Sequence, residues 1–381
     1  MAMTEKNQSI MASDLQADRT EQLWCPGCKN RVFLKNGKNK VPHFAHYAKE
    51  ACDTFSEGET LEHLNGKTQL YTHFKNLGYP AELEAYLKEL KQRPDILMVV
   101  GEKKIAVEYQ CSPLPIERMI ERTVQYNRFG YTVCWILGEK LFRKGMPLTT
   151  LQKSFIQYSP DYAFYLLQYS STKQKLILLS HLSKKYSQNW QYNSKRIKIQ
   201  TLIQLLGQSD NTLSAVKSKV SKENVLERHK KLLRAARSSD QSIRSFCERL
   251  YINNETIMSM PIELYWAVDH EWLIETPAFE WKYLLLLWVE SYPPRTIITY
   301  KKLQHKLCQW VEAAEVKLIR NVQLSPWFVV QVAEHYLDQL SESGVLKKIK
   351  KGKWRLSQFA ERYDNEERKF QKLCADYNNR S

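Results

Sequence analysis

At 381 residues the chain is longer than one hydrophobic core ordinarily serves, so roughly two to four domains are expected. Its composition, 43% hydrophobic and 26% charged, is that of a soluble globular protein, and its longest apolar run, residues 283–289, is too short to span a bilayer and suits a buried helix. A formal net charge of +16 and a pI near 9.3 point to polyanionic partners, with nucleic acid first among them.

The opening residues, 1–20, are polar and aperiodic, which predicts a mobile tail without a signal-peptide core and places the protein in the cytoplasm. Cys111, Cys134, Cys247, Cys308 and Cys374 are scattered and read as reduced thiols. The remaining three gather within residues 21–56. There Cys25-Pro-Gly-Cys28 forms a knuckle able to present two sulfurs to one ion, and His43, His46 and Cys52 follow. His43 and His46 share a face if their segment is helical, giving five candidate ligands for the four positions of a structural zinc ion.

Residues 57–142 read as helix, three strands, helix, strand. The first helix, 59–78, carries Leu61, Leu64, Thr68 and Tyr71 on one stripe, with His63 and Lys67 aligned four apart. Ala81–Leu87 alternates as a strand, which would set Glu82 and Glu84 on one face. Two short apolar runs then meet at the turn beginning with Gly101, bringing Asp95 and Glu108 to neighbouring strands. Two carboxylates so placed can hold a divalent ion, and magnesium or manganese suits such an all-oxygen site in phosphodiester cleavage. A helix from Ile116 to Phe129 sets Arg118, Arg122 and Gln125 along a polar stripe able to meet phosphate, and a buried strand follows Gly130.

Asp95, twelve intervening residues and Glu108-x-Gln110 match the PD-(D/E)xK nuclease pattern, except that glutamine replaces the usual lysine. Lys67 or Lys104 is a candidate to supply that missing charge in space. Taken in order, Cys25-Pro-Gly-Cys28, His43-Phe-Ala-His46, Cys52, Glu62-His63-Leu64, Lys67, Gln92-Arg-Pro-Asp95, Glu108-Tyr-Gln110-Cys111-Ser-Pro and Trp135-Ile-Leu-Gly138 resemble the CoiA competence protein family over residues 24 to 142. The resemblance implies a zinc-finger-like N-terminus and a restriction-endonuclease-like core. It also implies a role in natural transformation, promoting recombination of incoming DNA with the RecA recombinase. Carried over, the catalytic set is Glu62, Glu84, Asp95, Glu108 and Gln110, with Asp95 and Glu108 on the metal. Lys67, Arg118, Arg122 and Gln125 are the matching candidates for DNA contact.

Residues 143–207 read as an α/β extension, beginning with a helix over 148–158 and containing a hairpin around residues 170–173. Residues 208–242 read as an exposed, charged helical connector, and 243–381 as a Trp-rich helical domain. Its residues 325–358 resemble the end of a winged helix, with Lys350, Lys351 and Lys353 at the tip of the wing as further candidates for contact with the DNA backbone. The fold expected overall is multidomain α+β. Three functions compete: a metal-dependent deoxyribonuclease, a non-catalytic adaptor that holds DNA and recruits the recombinase, and a zinc-dependent transcription regulator.

Overall fold

The chain divides into two units, one of residues 1–182, 189–210 and 320–324, the other of residues 183–188, 211–319 and 325–381. The computed structural model describes residues 2–6, 8–10, 12, 15, 22–25, 28–37, 40–47, 60–142, 147–184, 190–207, 222–238 and 241–380. Together they form a mixed α+β protein, and no helix among them is long and apolar enough to cross a membrane.

The first unit opens with β1 (Ala2–Met3), β2 (Ser9–Ile10), β3 (Leu23–Trp24), β4 (Arg31–Gly37) and β5 (Lys40–His46), in the order β2-β1-β3-β4-β5. Within the expected N-terminal tail, Ala2–Met3 and Ser9–Ile10 are instead strands, and Ala2 is fully buried in a small core with Leu23, Val32 and Phe44. Two-residue strands are too brief to show a periodicity in sequence. The segment of His43 and His46 is a strand, so the helical premise for pairing them fails. The side chain of His43 and all of Cys52 lie outside the described residues.

Next comes α1 (Leu61–Asn76), capped by Thr60, whose hydroxyl accepts from the His63 amide at 3.2 Å. Its buried stripe is Gly66, Lys67, Leu70 and Phe74. The chain continues through β6 (Ala81–Leu83), β7 (Ile96–Val100), β8 (Lys103–Gln110), α2 (Ile116–Arg128) and β9 (Tyr131–Gly138). A short α3 (Thr150–Ser154) precedes β10 (Gln157–Ser159), β11 (Ala163–Ser170), β12 (Lys175–Lys184), β13 (Trp190–Ile197) and α4 (Ile199–Gly207). The helix expected over 148–158 is thus confined to five residues, the rest of it turning into strand β10.

One sheet of eight strands takes these in the order β13-β12-β11-β9-β8-β7-β6, with β10 beside β11. The hairpin of β11 and β12 is present as expected, and both belong to the same sheet as β8, because β11 runs parallel to β9 through Gln168 and Tyr169. With parallel neighbours on both sides, β9 is buried from Val133 to Gly138, as its unbroken apolar run requires.

α1 lies so close to the sheet that a Cβ on Gly66 would stand 2.1 Å from the ring of Tyr109. Gly66→Ala should therefore cost at least about 2 kcal/mol, since the ring is buried and its hydroxyl is tied to the Tyr169 carbonyl at 3.1 Å. Urea unfolding measures this, and a loss within the noise of a surface substitution would contradict the close approach.

The second unit comprises α5 (Lys222–Arg237), α6 (Arg244–Ile252), α7 (Ala278–Glu290), β14 (Ile297–Thr299), α8 (Tyr300–Glu312), α9 (Trp327–Glu342), β15 (Leu346–Lys350), β16 (Lys353–Leu356) and α10 (Glu366–Arg380). Trp272 and Trp281 pack into its core as expected. The exposed connector is corrected: α5 buries Leu232 and His229, and His229 Nδ1 lies 2.6 Å from the Tyr265 hydroxyl. A polar side chain carries this packing, so apolar periodicity alone does not reveal it.

Burial, with the nearby Lys369 charge, lowers the His229 pKa from 6.5 to about 4. The unfolded chain then binds the extra proton between those values, so the stability tied to neutral His229 is complete above pH 6.5 and is lost as pH falls towards about 4. His229→Gln should flatten this acid sensitivity, seen as a smaller drop in urea midpoint between neutral and acidic buffer than the parent shows.

Candidate active site

Strand register builds the site. Ile96 pairs with Val107 across the β7–β8 hairpin, so Asp95, one residue before β7, falls beside Glu108. Two backbone bonds fix Asp95: its carbonyl accepts from the Glu84 amide at 3.0 Å, and its Oδ2 accepts from the Tyr109 amide at 2.8 Å. The same Oδ2 is 3.1 Å from His63 Nε2. Burial acts to raise the Asp95 pKa, but the charges of His63 and Lys67 and the Tyr109 amide outweigh it, holding this carboxyl below its usual range.

Glu108 is buried, and the outcome there is opposite. Burial, with the neighbouring negative charge of Asp95, pushes its pKa up to about 7, against the pull of Arg122 and Tyr126. Those two groups meet the same oxygen: the Arg122 guanidinium donates to Oε1 at 2.5 Å and the Tyr126 hydroxyl at 2.8 Å. Two neighbouring acids, one held ionised and one held near neutrality, mark a place where a divalent cation would relieve repulsion.

The remaining expected residues frame this pair. Glu62 Oε1 accepts from the Glu139 amide at 2.8 Å, so this acid is anchored at the end of β9, beside Gly138 and Cys111. Glu84 takes a left-handed backbone, φ 49°, which ends β6 after three residues and turns its side chain inward onto Lys67 and Arg93, the latter at 3.3 Å. The expected seven-residue strand with Glu82 and Glu84 on one face is corrected by that turn, since Glu82 is exposed and Glu84 buried. Gln110 continues β8 two residues past Glu108, and its amide donates to the Ser112 carbonyl at 2.8 Å.

Of the residues read as DNA contacts, Lys67 is fully buried against Glu84, and its charge reaches Asp95. Arg122 faces inward because the buried side of α2 is Met119, Thr123 and Tyr126. Gln125 bonds Gln92, and Arg118 is half-buried on the same helix. Lys104 lies at the far end of β8 over the Tyr131 ring, so of these two lysines it is Lys67 whose charge reaches Asp95, while Lys140 stands 3.9 Å from Glu62. His63 and Tyr126 belong to the site but were missed as site residues by the sequence reading. The signal for His63 was its fixed offset of four from Lys67; for Tyr126 it was the spacing from Met119 and Thr123.

In the N-terminal sheet, Cys25, Cys28 and His46 bring their ligand atoms within 4.8 Å of one another, and Cys28 Sγ is 3.2 Å from His46 Nε2. This group could hold a metal ion. Among the described residues it is the one grouping of three or more potential ligands.

Comparison with known proteins accounts for all three segments. The model of the competence protein CoiA nuclease-like domain matches residues 59–208, that of the CoiA N-terminal domain residues 7–55, and that of the CoiA C-terminal domain residues 222–369. This chain belongs to the CoiA family. Competence protein CoiA of Bacillus subtilis (strain 168) is 25% identical to it over 355 residues, covering 91% of this chain and 93% of the relative. Family membership supports a role in competence. The nuclease-like match spans α1 to α4, and so contains the whole eight-stranded sheet and the Asp95–Glu108 pair. The C-terminal match begins where α5 begins, in keeping with the packing of that helix into the second unit.

Proposed function

We propose that this protein binds DNA taken up in competence and cuts it at the Asp95–Glu108 site with magnesium or manganese. The observation carrying this reading is the adjacent pair itself, Glu108 buried and Asp95 partly buried, with Glu108 raised to about 7 partly by the charge of Asp95. A hard divalent ion fits this all-oxygen donor set, and when bound it would supply charge neutralisation at the phosphate and an activated water. Asp95 and Glu108 would hold it. Tyr109 and His63 orient the Asp95 carboxylate, while Arg122 and Tyr126 orient that of Glu108. Lys67 lends the positive charge that Gln110 cannot, and Glu84 keeps it in place. Glu62 secures the end of β9, and Gln110 is positioned to meet water or phosphate. The helix, three-strand, helix, strand order supports a restriction-endonuclease-like core.

Cys25, Cys28 and His46 suit zinc, with His43 or Cys52 as the fourth ligand, and this ion would help hold together a sheet in which three of five strands are two residues long. About one zinc per chain is expected by elemental analysis, falling to near none in Cys25→Ser/Cys28→Ser, with easier proteolysis of the first 55 residues. A zinc-free preparation that resists protease equally well would overturn this.

A second reading, a non-catalytic adaptor that brings DNA to the RecA recombinase, is favoured by Gln110 in the lysine position and by the lack of a third ligand grouped with Asp95 and Glu108 among the described residues. Assays of purified protein on labelled single- and double-stranded DNA with each metal separate the two: cleavage selects the nuclease, and tight binding without cleavage under any metal selects the adaptor. In the second unit, β14, α8, α9 and the β15–β16 hairpin support a winged-helix reading.

A further inference from the structure

The three-stranded sheet of the second unit carries a cationic surface separate from the acidic pair. From Leu346 to Leu356 seven residues are exposed, and six of them are cations: Lys347, Lys348, Lys350, Lys351, Lys353 and Arg355. The other exposed residue is Ile349, while Trp354 and Leu356 point into the core. Lys348 belongs to the inward side, its ammonium 2.6 Å from Asp338, which also accepts from the Trp354 indole at 2.8 Å. Among the described residues the other five make no ion pair, although the buried Glu334 feels the charge of Lys351.

Register arranges four of these five, and Lys351 lies in the turn between the strands. Ile297, Arg355 and Lys347 form one row across β14, β16 and β15, and Lys350 faces Lys353 beside the turn. Neighbouring strands lie about 4.8 Å apart and alternate residues about 6.8 Å apart, so the ammonium and guanidinium groups spread over a flat patch at the scale of successive backbone phosphates. The turn is held by Gly352, at φ +70°, whose carbonyl accepts from the Tyr300 amide at 2.8 Å. That bond sets the start of α8 against the turn and adds the exposed Lys301 to its edge.

We infer that the outer face of the β14–β16–β15 sheet, through Lys347, Lys350, Lys351, Lys353 and Arg355, grips the sugar-phosphate backbone of nucleic acid without reading its sequence. Nucleic acid is favoured over an acidic protein because the patch has no exposed aromatic anchor and hardly any apolar centre, the features that concentrate binding energy between proteins. Long cationic side chains with only two isoleucines, Ile297 and Ile349, exposed among them instead suit displacement of counterions from a polyphosphate. The inference is independent of the Asp95–Glu108 reading, because this grip needs no metal.

The test is fluorescence anisotropy of the full chain with a short labelled duplex in EDTA, titrated over a range of salt. Lys347→Gln/Lys350→Gln/Lys353→Gln/Arg355→Gln should weaken binding at least about tenfold at moderate salt, and should shrink the slope of log K against log salt by about 0.9 for each phosphate no longer neutralised. A charge-keeping variant, Lys347→Arg/Lys350→Arg/Lys353→Arg, should bind within about twofold of the parent. Because EDTA withholds the metal that cleavage at Asp95 and Glu108 requires, failure of the cleavage reading would not be mistaken for failure here. Unaltered affinity and slope in the quadruple variant would overturn the inference, as would displacement of the labelled DNA by polyglutamate as readily as by unlabelled DNA. Should circular dichroism show that the quadruple variant has unfolded, Lys350→Gln and Lys353→Gln singly decide the matter, each expected to shrink the slope and each counting against the grip if it does not.

Discussion

Asp95→Asn and Glu108→Gln should each lower metal-dependent DNA cleavage at least about a hundredfold, the largest functional effect expected of any single exchange in this chain. Each removes one of two anionic oxygen donors while keeping the size and most hydrogen bonds of the side chain. The two variants should nevertheless differ in stability. Asp95→Asn gives up a carboxylate that His63 and Lys67 favour in its charged form. Glu108→Gln removes an acid that burial already disfavours when charged, though it leaves the Arg122 guanidinium with a neutral partner. Single-turnover cleavage of labelled duplex, with metal varied, checks the activity. Equal cleavage by parent and both variants would remove Asp95 and Glu108 from the chemistry.

The largest stability effect should come from Lys67→Met, at about 3 kcal/mol or more. Lys67 has no exposed surface, its ammonium meets Glu84, and Glu84 is itself buried. Removing the cation leaves a carboxylate in a poorly solvating place, with the Arg93 guanidinium 3.3 Å away. Replacing both members, as Lys67→Met/Glu84→Leu, should recover part of the loss, because no lone charge then remains inside. Urea denaturation of the parent, both single variants and the double variant gives the coupling. Additive single losses would show that the two side chains do not act as a pair.

The core of the first unit was open to sequence reading wherever one physical signal dominated. The Gly101 turn and the unbroken apolar β9 follow from turn chemistry and composition and lie where expected, and α1 forms, but it buries Gly66, Lys67, Leu70 and Phe74 and leaves Leu61 and Thr68 of the expected stripe exposed. The errors fall where a single backbone angle or a polar contact decides. Glu84 leaves the strand because of one left-handed residue, which alternation does not register. Arg122 reads as a surface cation until Glu108, fourteen residues away in sequence, is seen to lie under it. The packing of α5 rests on His229 and Tyr265, which no hydrophobic pattern links. At the candidate site, the pairing of Asp95 with Glu108 was legible because a tight hairpin fixes register. The support from His63 and Tyr126 was not, because it depends on how two helices lie across that hairpin.

The place of β9 in the sheet bears on how the chain can be divided. β9 has β8 on one side and β11 on the other, so a fragment stopped at residue 142 would keep every acidic residue of the site and still strip one flank of its most apolar strand. Such a raw edge invites pairing with another copy. The smallest self-sufficient piece carrying the acids should therefore run on through α4, to about residue 207, and the shorter one should precipitate even though its motif is complete.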